Sequence, residues 1–222
     1  MSQPTSAVEL CNLALDAIGQ APISSILAPQ TTNEDICARH YDQTRRKMLR
    51  KFIFNFARKP GLLLPASAAP AHPNFTNTFT LPNDFIRLLS IDDGSTLGGA
   101  LESKLFDMSG PYIYCDSAAL VDPVTLLATG LNVKYIYDAV TVQQFDALFV
   151  DVLVIELAKK MAPKFTLKPS LVAALDQQLL DANLAAAAVA GQERPPVRVQ
   201  RSHLRDVRRS GGIWTDNTRI GT

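Results

Sequence analysis

Between Asn132 and Phe165 the chain reads NVKYIYDAVTVQQFDALFVDVLVIELAKKMAPKF, and this stretch constrains the fold more than any other. It opens as a strand, with Val133, Tyr135 and Tyr137 alternating against Lys134 and Ile136 and with β-branched and aromatic types dominant. After Asp138 the period changes. Thr141 and Gln144 have the spacing of a capping box, in which hydroxyl and amide satisfy backbone N–H groups left over at a helix start. Phe145, Leu148, Phe149, Val152, Ile155 and Ala158 then recur at helical intervals, and Pro163 is expected to end the run. A strand, a short capped corner and a long apolar helix require a sheet and a helical layer to meet here.

Upstream, Ser6 and Glu9 form another capping box, followed by Val8, Cys11, Leu15 and Ile18 at helical spacing, with Leu10 and Leu13 widening the stripe. Gly19 and Pro22 stop that helix. A second helix, capped by Thr32 or Asn33, is predicted to bury Cys37, Tyr41, Thr44, Met48, Phe52 and Phe56 and to close at Lys59-Pro60-Gly61. Residues 62–73 have no period and read as a proline-punctuated linker. Extended runs follow over 75–91, 104–108, 112–115, 120 and 126–127, with turn signals at Asp92-Asp93-Gly94 and Gly98-Gly99. Past the long helix, Pro169 suits a first helical turn. Leu171, Leu175, Gln178, Leu179 and Ala182 then lead into an alanine-rich run that Gly191 ends. The expected class is α+β, with about four helices and one sheet layer. Its parts are a discontinuous helical domain (1–61 and 138–191), an inserted small antiparallel β domain (74–137) and an extended basic C-terminal arm (192–222).

With 222 residues, 47% of them hydrophobic, the chain can bury a sizeable core. Lys and Arg number 22 against 21 Asp and Glu, and a net charge of +1 argues against a surface made as a whole for nucleic acid. The three cysteines, Cys11, Cys37 and Cys115, are far apart and form no C-x-x-C pair, so free thiols in a reducing compartment are expected. MSQPTSAVEL lacks the basic start and apolar run of a signal peptide, and no segment reaches the ~18 uninterrupted apolar residues of a membrane span. These features predict a soluble protein made in a cytoplasm.

The sequence contains no phosphate-binding G-x-x-x-x-G-K-[ST] loop, no G-x-G-x-x-G after a strand, no H-E-x-x-H and no G-x-S-x-G elbow. His40, His72 and His203 lie on a helix, in the linker and in the arm, without companions at metal spacing; each reads as surface or cap. Asp92-Asp93 reads as a turn before it reads as paired carboxylates. Glu156 falls beside an apolar stripe and reads as a boundary or intersubunit charge. No cofactor is implied.

Arginine is the informative residue. The second helix carries Arg39, Arg45, Arg46, Lys47, Arg50 and Lys51 on its expected outer surface. They are candidates for contact with a nucleic-acid backbone, where cations neutralise phosphate and release counterions. Acidic residues of a neighbouring subunit, or water, are the other readings. The arm interleaves Arg194, Arg198, Arg201, Arg205, Arg208 and Arg209 with Val199, Leu204 and Trp214 and has no sustained apolar face. A segment of that kind is suited to ordering against a partner, and its apolar anchors favour a protein over nucleic acid.

Six pieces in order carry a family likeness. They are Leu13-Ala14-Leu15-Asp16-Ala17-Ile18-Gly19-Gln20-Ala21-Pro22-Ile23; a helix with Cys37, Tyr41, Arg45 and Leu49 ending in Phe54-Asn55-Phe56-Ala57; Phe79-x-Leu81-Pro82-x-Asp84-Phe85-Ile86-Arg87; Tyr135-Ile136-Tyr137; Phe145-Asp146-x-x-Phe149; and Leu157-Ala158. Together they resemble the podophage tail tubular protein A family, head-to-tail adaptors that form a ring beneath the portal and above the tail nozzle. The likeness covers most of residues 6–190. Phe54 stands where the family often has tryptophan before Asn-Phe-Ala, and the arm after Gly191 matches no family motif.

The resemblance implies a non-enzymatic virion protein of the tail or neck, assembled in the host cytoplasm into a homo-oligomeric ring, commonly twelve-fold. Its implied partners are the portal, a nozzle protein like tail tubular protein B, and double-stranded DNA passing through the lumen. By analogy the arm would dock on the portal. Two other readings compete: a nucleic-acid-binding module using the second helix and arm, and a virion-associated hydrolase. The clustered carboxylates available to a hydrolase are Asp84, Asp92, Asp93 and Glu102.

Overall fold

The structure, a computed structural model, describes residues 3–66, 70–92, 106–116, 120–121, 128–165 and 169–192. Over them the chain is α+β, as the mixture of helical and two-residue periods implies. Helices α1 (Ala7–Ala17) and α2 (Thr32–Lys51) come first. Seven strands follow: β1 (Arg58–Leu63), β2 (Asn77–Thr80), β3 (Phe85–Asp92), β4 (Phe106–Ser109), β5 (Tyr112–Cys115), β6 (Leu120–Val121) and β7 (Ala128–Tyr137). Helices α3 (Ala147–Phe165) and α4 (Pro169–Gln192) close the described chain.

Everything in the first sheet is arranged on β7. It pairs antiparallel with β1 on one side and β3 on the other, and β6 joins it near Gly130. In the second sheet β5 lies between β2 and β4, again antiparallel. Leu131, Val133 and Tyr135 of β7 share an apolar cluster with Phe79, Ile113 and Cys115 of the second sheet, so the two sheets bury one face in common. Ile136, on the opposite face, is fully buried in the helical core instead. That is why the strand alternates cleanly through Lys134 and then turns apolar on both faces.

The helical core gathers Leu10, Cys11 and Leu15 from α1, Ile36, Met48 and Leu49 from α2, Phe149, Leu153 and Leu157 from α3, and Leu175 and Leu179 from α4. Each fully buried Leu or Phe contributes roughly 1.5–3 kcal/mol over its exposed state. Phe54, Phe56, Phe145 and Phe149 close the end of this core with ring centroids 4.9–5.7 Å apart. Phe54, buried and edge-on to Phe149 at 5.2 Å, fills its site without the larger indole.

Several boundaries differ from the sequence reading, each for a local reason. The cap of α2 is Thr31, one residue before the expected pair: its hydroxyl accepts from Glu34 N while the Glu34 carboxylate reaches back to the Thr31 N–H. The helix stops at Lys51, not at Lys59-Pro60-Gly61, because Phe52 is extended (φ −109°, ψ 158°). Phe52 and Phe54, two residues apart, are both extended, a conformation aromatic residues favour, and Phe56 follows in a 3-10 turn over Asn55–Ala57.

The supposed linker begins inside β1, which includes Pro60 and Gly61. Proline is tolerated there because β1 is an edge strand and Pro60 offers no N–H to a missing neighbour. Gly61 lies under the Tyr135 ring, where a Cβ would come within 2.8 Å of Cε1. At the other end, Thr141 makes no side-chain cap; residues Val142–Gln144 form a 3-10 turn. Asp146 caps α3 instead, its carboxylate accepting from Leu148 N at 2.8 Å. Pro163 lies within α3, near enough to its end that the lost hydrogen bond and ring clash do not break it. By contrast α1 ends as expected: Gly19 adopts φ 71°, and Gln20 N donates to Leu15 O at 2.9 Å.

Candidate functional site

Most basic residues of α2 take partners within the chain. Arg45, placed on the outer surface by its charge, is 2% exposed. Its guanidinium donates to Asp138 Oδ1 and to Ala139 O, both at 2.5 Å, and to Asp42 Oδ1 at 3.2 Å. Arg46 takes the second carboxylate oxygen of Asp138 at 2.7 Å, and Asp138 N donates to Asp84 O at 2.7 Å. Two arginines thus hold the corner between β7 and α3, the buried Arg45 answered there by carboxylates and the Ala139 carbonyl, with its Nε left unpaired.

The remaining basic residues of α2 also have partners. Arg39 pairs with Asp35 one turn earlier at 2.5 Å, and Lys47 pairs with the buried Glu156 of α3. Arg50 donates to Ile86 O at 3.2 Å while Arg87 donates back to Arg50 O at 3.3 Å. Lys51 lies over the Phe52 ring, 5.0 Å from its centroid. Of the six, only Arg45 is buried; the other five stay exposed as expected, although Arg46, Lys47 and Arg50 also reach partners at the β7–α3 corner, on α3 and on β3. Glu156 is a boundary charge, as its position beside the stripe suggested, with its partner inside the chain.

Among the hydrolase candidates, Asp84 accepts from Lys59 Nζ at 2.9 Å and from the Tyr135 hydroxyl at 3.0 Å. Burial and then Asp84 push the Tyr135 hydroxyl up, and Asp84 raises Lys59 as well. A phenol pushed up is poorly suited to give up its proton, so this trio braces β1, β3 and β7. Asp93 and Glu102 lie outside the described residues, as does the side chain of Asp92.

His72 is held on both nitrogens. Asn74 N donates to Nδ1 at 3.2 Å, which puts the proton of the neutral ring on Nε2, facing Asp107 Oδ2 at 3.1 Å. Its ring stacks between Phe75 and Tyr114, with centroids about 5 Å away. With no free lone pair it fastens residues 72–75 to the second sheet. Cys11, Cys37 and Cys115 are free and buried; the hydrogen bond that its S–H gives to Cys37, and then burial, push the Cys11 thiol up. Among the described residues no group of three or more His, Cys, Asp or Glu is placed to hold a metal ion, and no helix is long and apolar enough to cross a membrane.

A shallow groove of about 320 Å³ over β1 and β7 is lined by Pro60–Leu62 and Asn132–Lys134, with Lys134 its one charged side chain. The arm residues Arg194, Arg198, Val199, Arg201, Leu204, Arg205, Arg208, Arg209 and Trp214 lie outside the described residues.

Two polar features escaped the sequence reading. Glu34, 4% exposed, accepts from Gln30 N, Thr31 N and Ser24 Oγ at 2.7–3.0 Å and so folds the loop between α1 and α2 onto the helix start. These donors hold its carboxyl down to about 2. The T-x-x-E spacing of Thr31 and Glu34 was the available signal. The second feature is a cationic end to the α2–α3 seam, at His40, Lys160 and Lys164. Burial and then Lys160, Lys164 and Arg39 hold His40 below its ordinary value. On the outside of α4, Leu180 and Leu184 are 54% and 63% exposed. No protein-family model matches the chain, and no curated protein matches it.

Proposed function

We propose that the protein is a non-enzymatic assembly protein, a head-to-tail adaptor of a short-tailed bacteriophage that forms a ring between portal and tail nozzle. The order of the six family-like pieces supports this reading. The observation that carries it is the outer side of α4. This helix has no Lys or Arg, packs its inner side on α3, and leaves Leu180 and Leu184 one turn apart and more than half exposed. A neighbouring subunit would bury such a face. Asp84, the hydrolase candidate whose side chain is described, serves as a brace between Lys59 and Tyr135.

In this proposal α4 supplies a lateral contact, the sheets face the nozzle, and the arm orders on the portal at a cost of ~2–5 kcal/mol that ring multivalency offsets. Mass by light scattering, alone and with a portal ring, tests it. Assembly to ring size in either condition is expected, with Leu180→Glu/Leu184→Glu remaining monomeric. Deleting residues 193–222 is expected to abolish portal binding. A wild-type chain that stays monomeric with and without portal removes the reading.

A further inference from the structure

The polar seam between α2 and α3 loses its acid partners along its length. On α2, His40, Thr44 and Lys47 follow one another at helical spacing, and on α3 Glu156, Lys160 and Lys164 do the same. Lys47 pairs with Glu156, and Lys160 Nζ donates to Thr44 Oγ1 at 2.9 Å, so later residues of α3 meet earlier residues of α2. The first contact is an ion pair. The second sets an ammonium against a neutral hydroxyl, whose own proton goes to His40 O at 2.7 Å. Beyond it stands His40, with Lys160 and Lys164 of α3 and Arg39 of its own helix all acting on it. Arg39 is matched by Asp35.

Glu156, the one carboxylate acting on Lys160, is already bound to Lys47. Among the described residues neither Lys160 nor Lys164 has a carboxylate within ion-pair distance. The groups register the excess. Burial and then Lys47 hold Lys160 below its ordinary value, and His40 is displaced the same way by burial and by its lysine neighbours.

We propose that His40, Lys160 and Lys164 form a binding site for a phosphate-class oxyanion, either free phosphate or the phosphodiester of a nucleic-acid backbone. Two unmatched ammonium groups and an imidazole able to donate suit a ligand with one to two negative charges and several acceptor oxygens. Partial burial of Lys160 raises the gain there, since screening is weaker beside the packed helices than in bulk water. The site uses none of the α2 arginines that reach partners on other elements. It stands apart from the adaptor reading, which relies on α4 and the arm.

The test follows the His40 ring C–H signal by NMR against pH, with the signal assigned by its loss in His40→Gln. Three solutions of equal ionic strength are compared: sodium chloride, inorganic phosphate, and a short duplex DNA. Phosphate or duplex is expected to raise the His40 pKa by about one unit without moving the other two histidines, and Lys160→Gln/Lys164→Gln is expected to abolish the rise. A rise with duplex alone assigns the site to a nucleic-acid backbone, and one with phosphate alone to a small oxyanion. No rise with either, or an equal rise at all three histidines, overturns the site. Should the double variant fail to fold, Lys164→Gln, an exposed change, is expected to weaken the phosphate response several-fold; an unchanged response overturns the site as well.

Discussion

Helix α2 makes two polar seams, and they are built on opposite terms. Against the β7–α3 corner every charge is answered: Arg45 by Asp138, Asp42 and Ala139 O, and Arg46 by the other oxygen of Asp138. Against the body of α3 the answers run out after Lys47 and Glu156, leaving Lys160 on a hydroxyl and His40 among bases. The first seam fixes an angle between layers, and any departure leaves a desolvated charge alone. The second tolerates excess charge at a partly open edge. Along one helix, charge used for folding is thus separated from the unmatched charge that α3 brings against it.

Removing the answered charge is the strongest way to break the contrast. Arg45→Met is expected to cost about 3 kcal/mol in urea unfolding, the low end for a broken buried pair, since Arg46 still holds Asp138. A loss under ~1 kcal/mol would mean the corner is held by packing alone. Gly61→Ala attacks the same region without touching charge. The new methyl must displace the Tyr135 ring, whose hydroxyl is bonded to Asp84, and a cost of ~1–3 kcal/mol is expected. Unchanged thermal stability would show that the ring moves freely.

Glu34→Gln is a smaller change with a defined pH window. The folded carboxyl sits near 2 against an ordinary 4.5, so its ionised form favours the fold. That stability is present above the ordinary value and is lost as pH falls toward 2. The variant should therefore melt below wild type at neutral pH and converge with it in acid; parallel melting curves across this range would contradict the assignment. The smallest effect is expected at the unanswered seam. Folding lowers the Lys160 pKa, so its charge opposes the fold below that value. Lys160→Met should stay within ~0.5 kcal/mol of wild type at neutral pH or exceed it. A loss comparable to Arg45→Met would erase the distinction between the seams.

How far these features were legible depends on how local they are. The strand-to-helix change around Asp138, the capping box at Ser6 and the end of α1 at Gly19 depend on residues within a few positions, and their sequence patterns carry them. Arg45 shows the limit. Its spacing from Tyr41 and Met48 puts it on the buried stripe, but its charge argued for the outside, and only a partner 93 residues away reverses that. Phe52 and Phe56 fit a helical stripe four apart; Phe54, two residues after Phe52, was the sign of extended chain. Pro60 and Gly61 read as punctuation because an edge strand under a tyrosine ring is defined by β7, which comes much later. Lys160 and Lys164 stood in plain view as the polar edge of an apolar helix. What faces them across the seam has no signature in sequence.

The dependence of the first sheet on β7 also orders events in time. β1 and β3 do not pair with each other; each finds its ladder in β7, roughly 70 and 45 residues downstream. Closing such spans costs entropy before any pairing is gained, which places the sheet among slow, non-local steps. During synthesis α1 and α2 emerge first, yet each packs chiefly on α3, and both strands wait with open edges until Tyr137 has cleared the ribosome. That interval is when the nascent chain is most exposed to capture by a chaperone or by another unfinished copy.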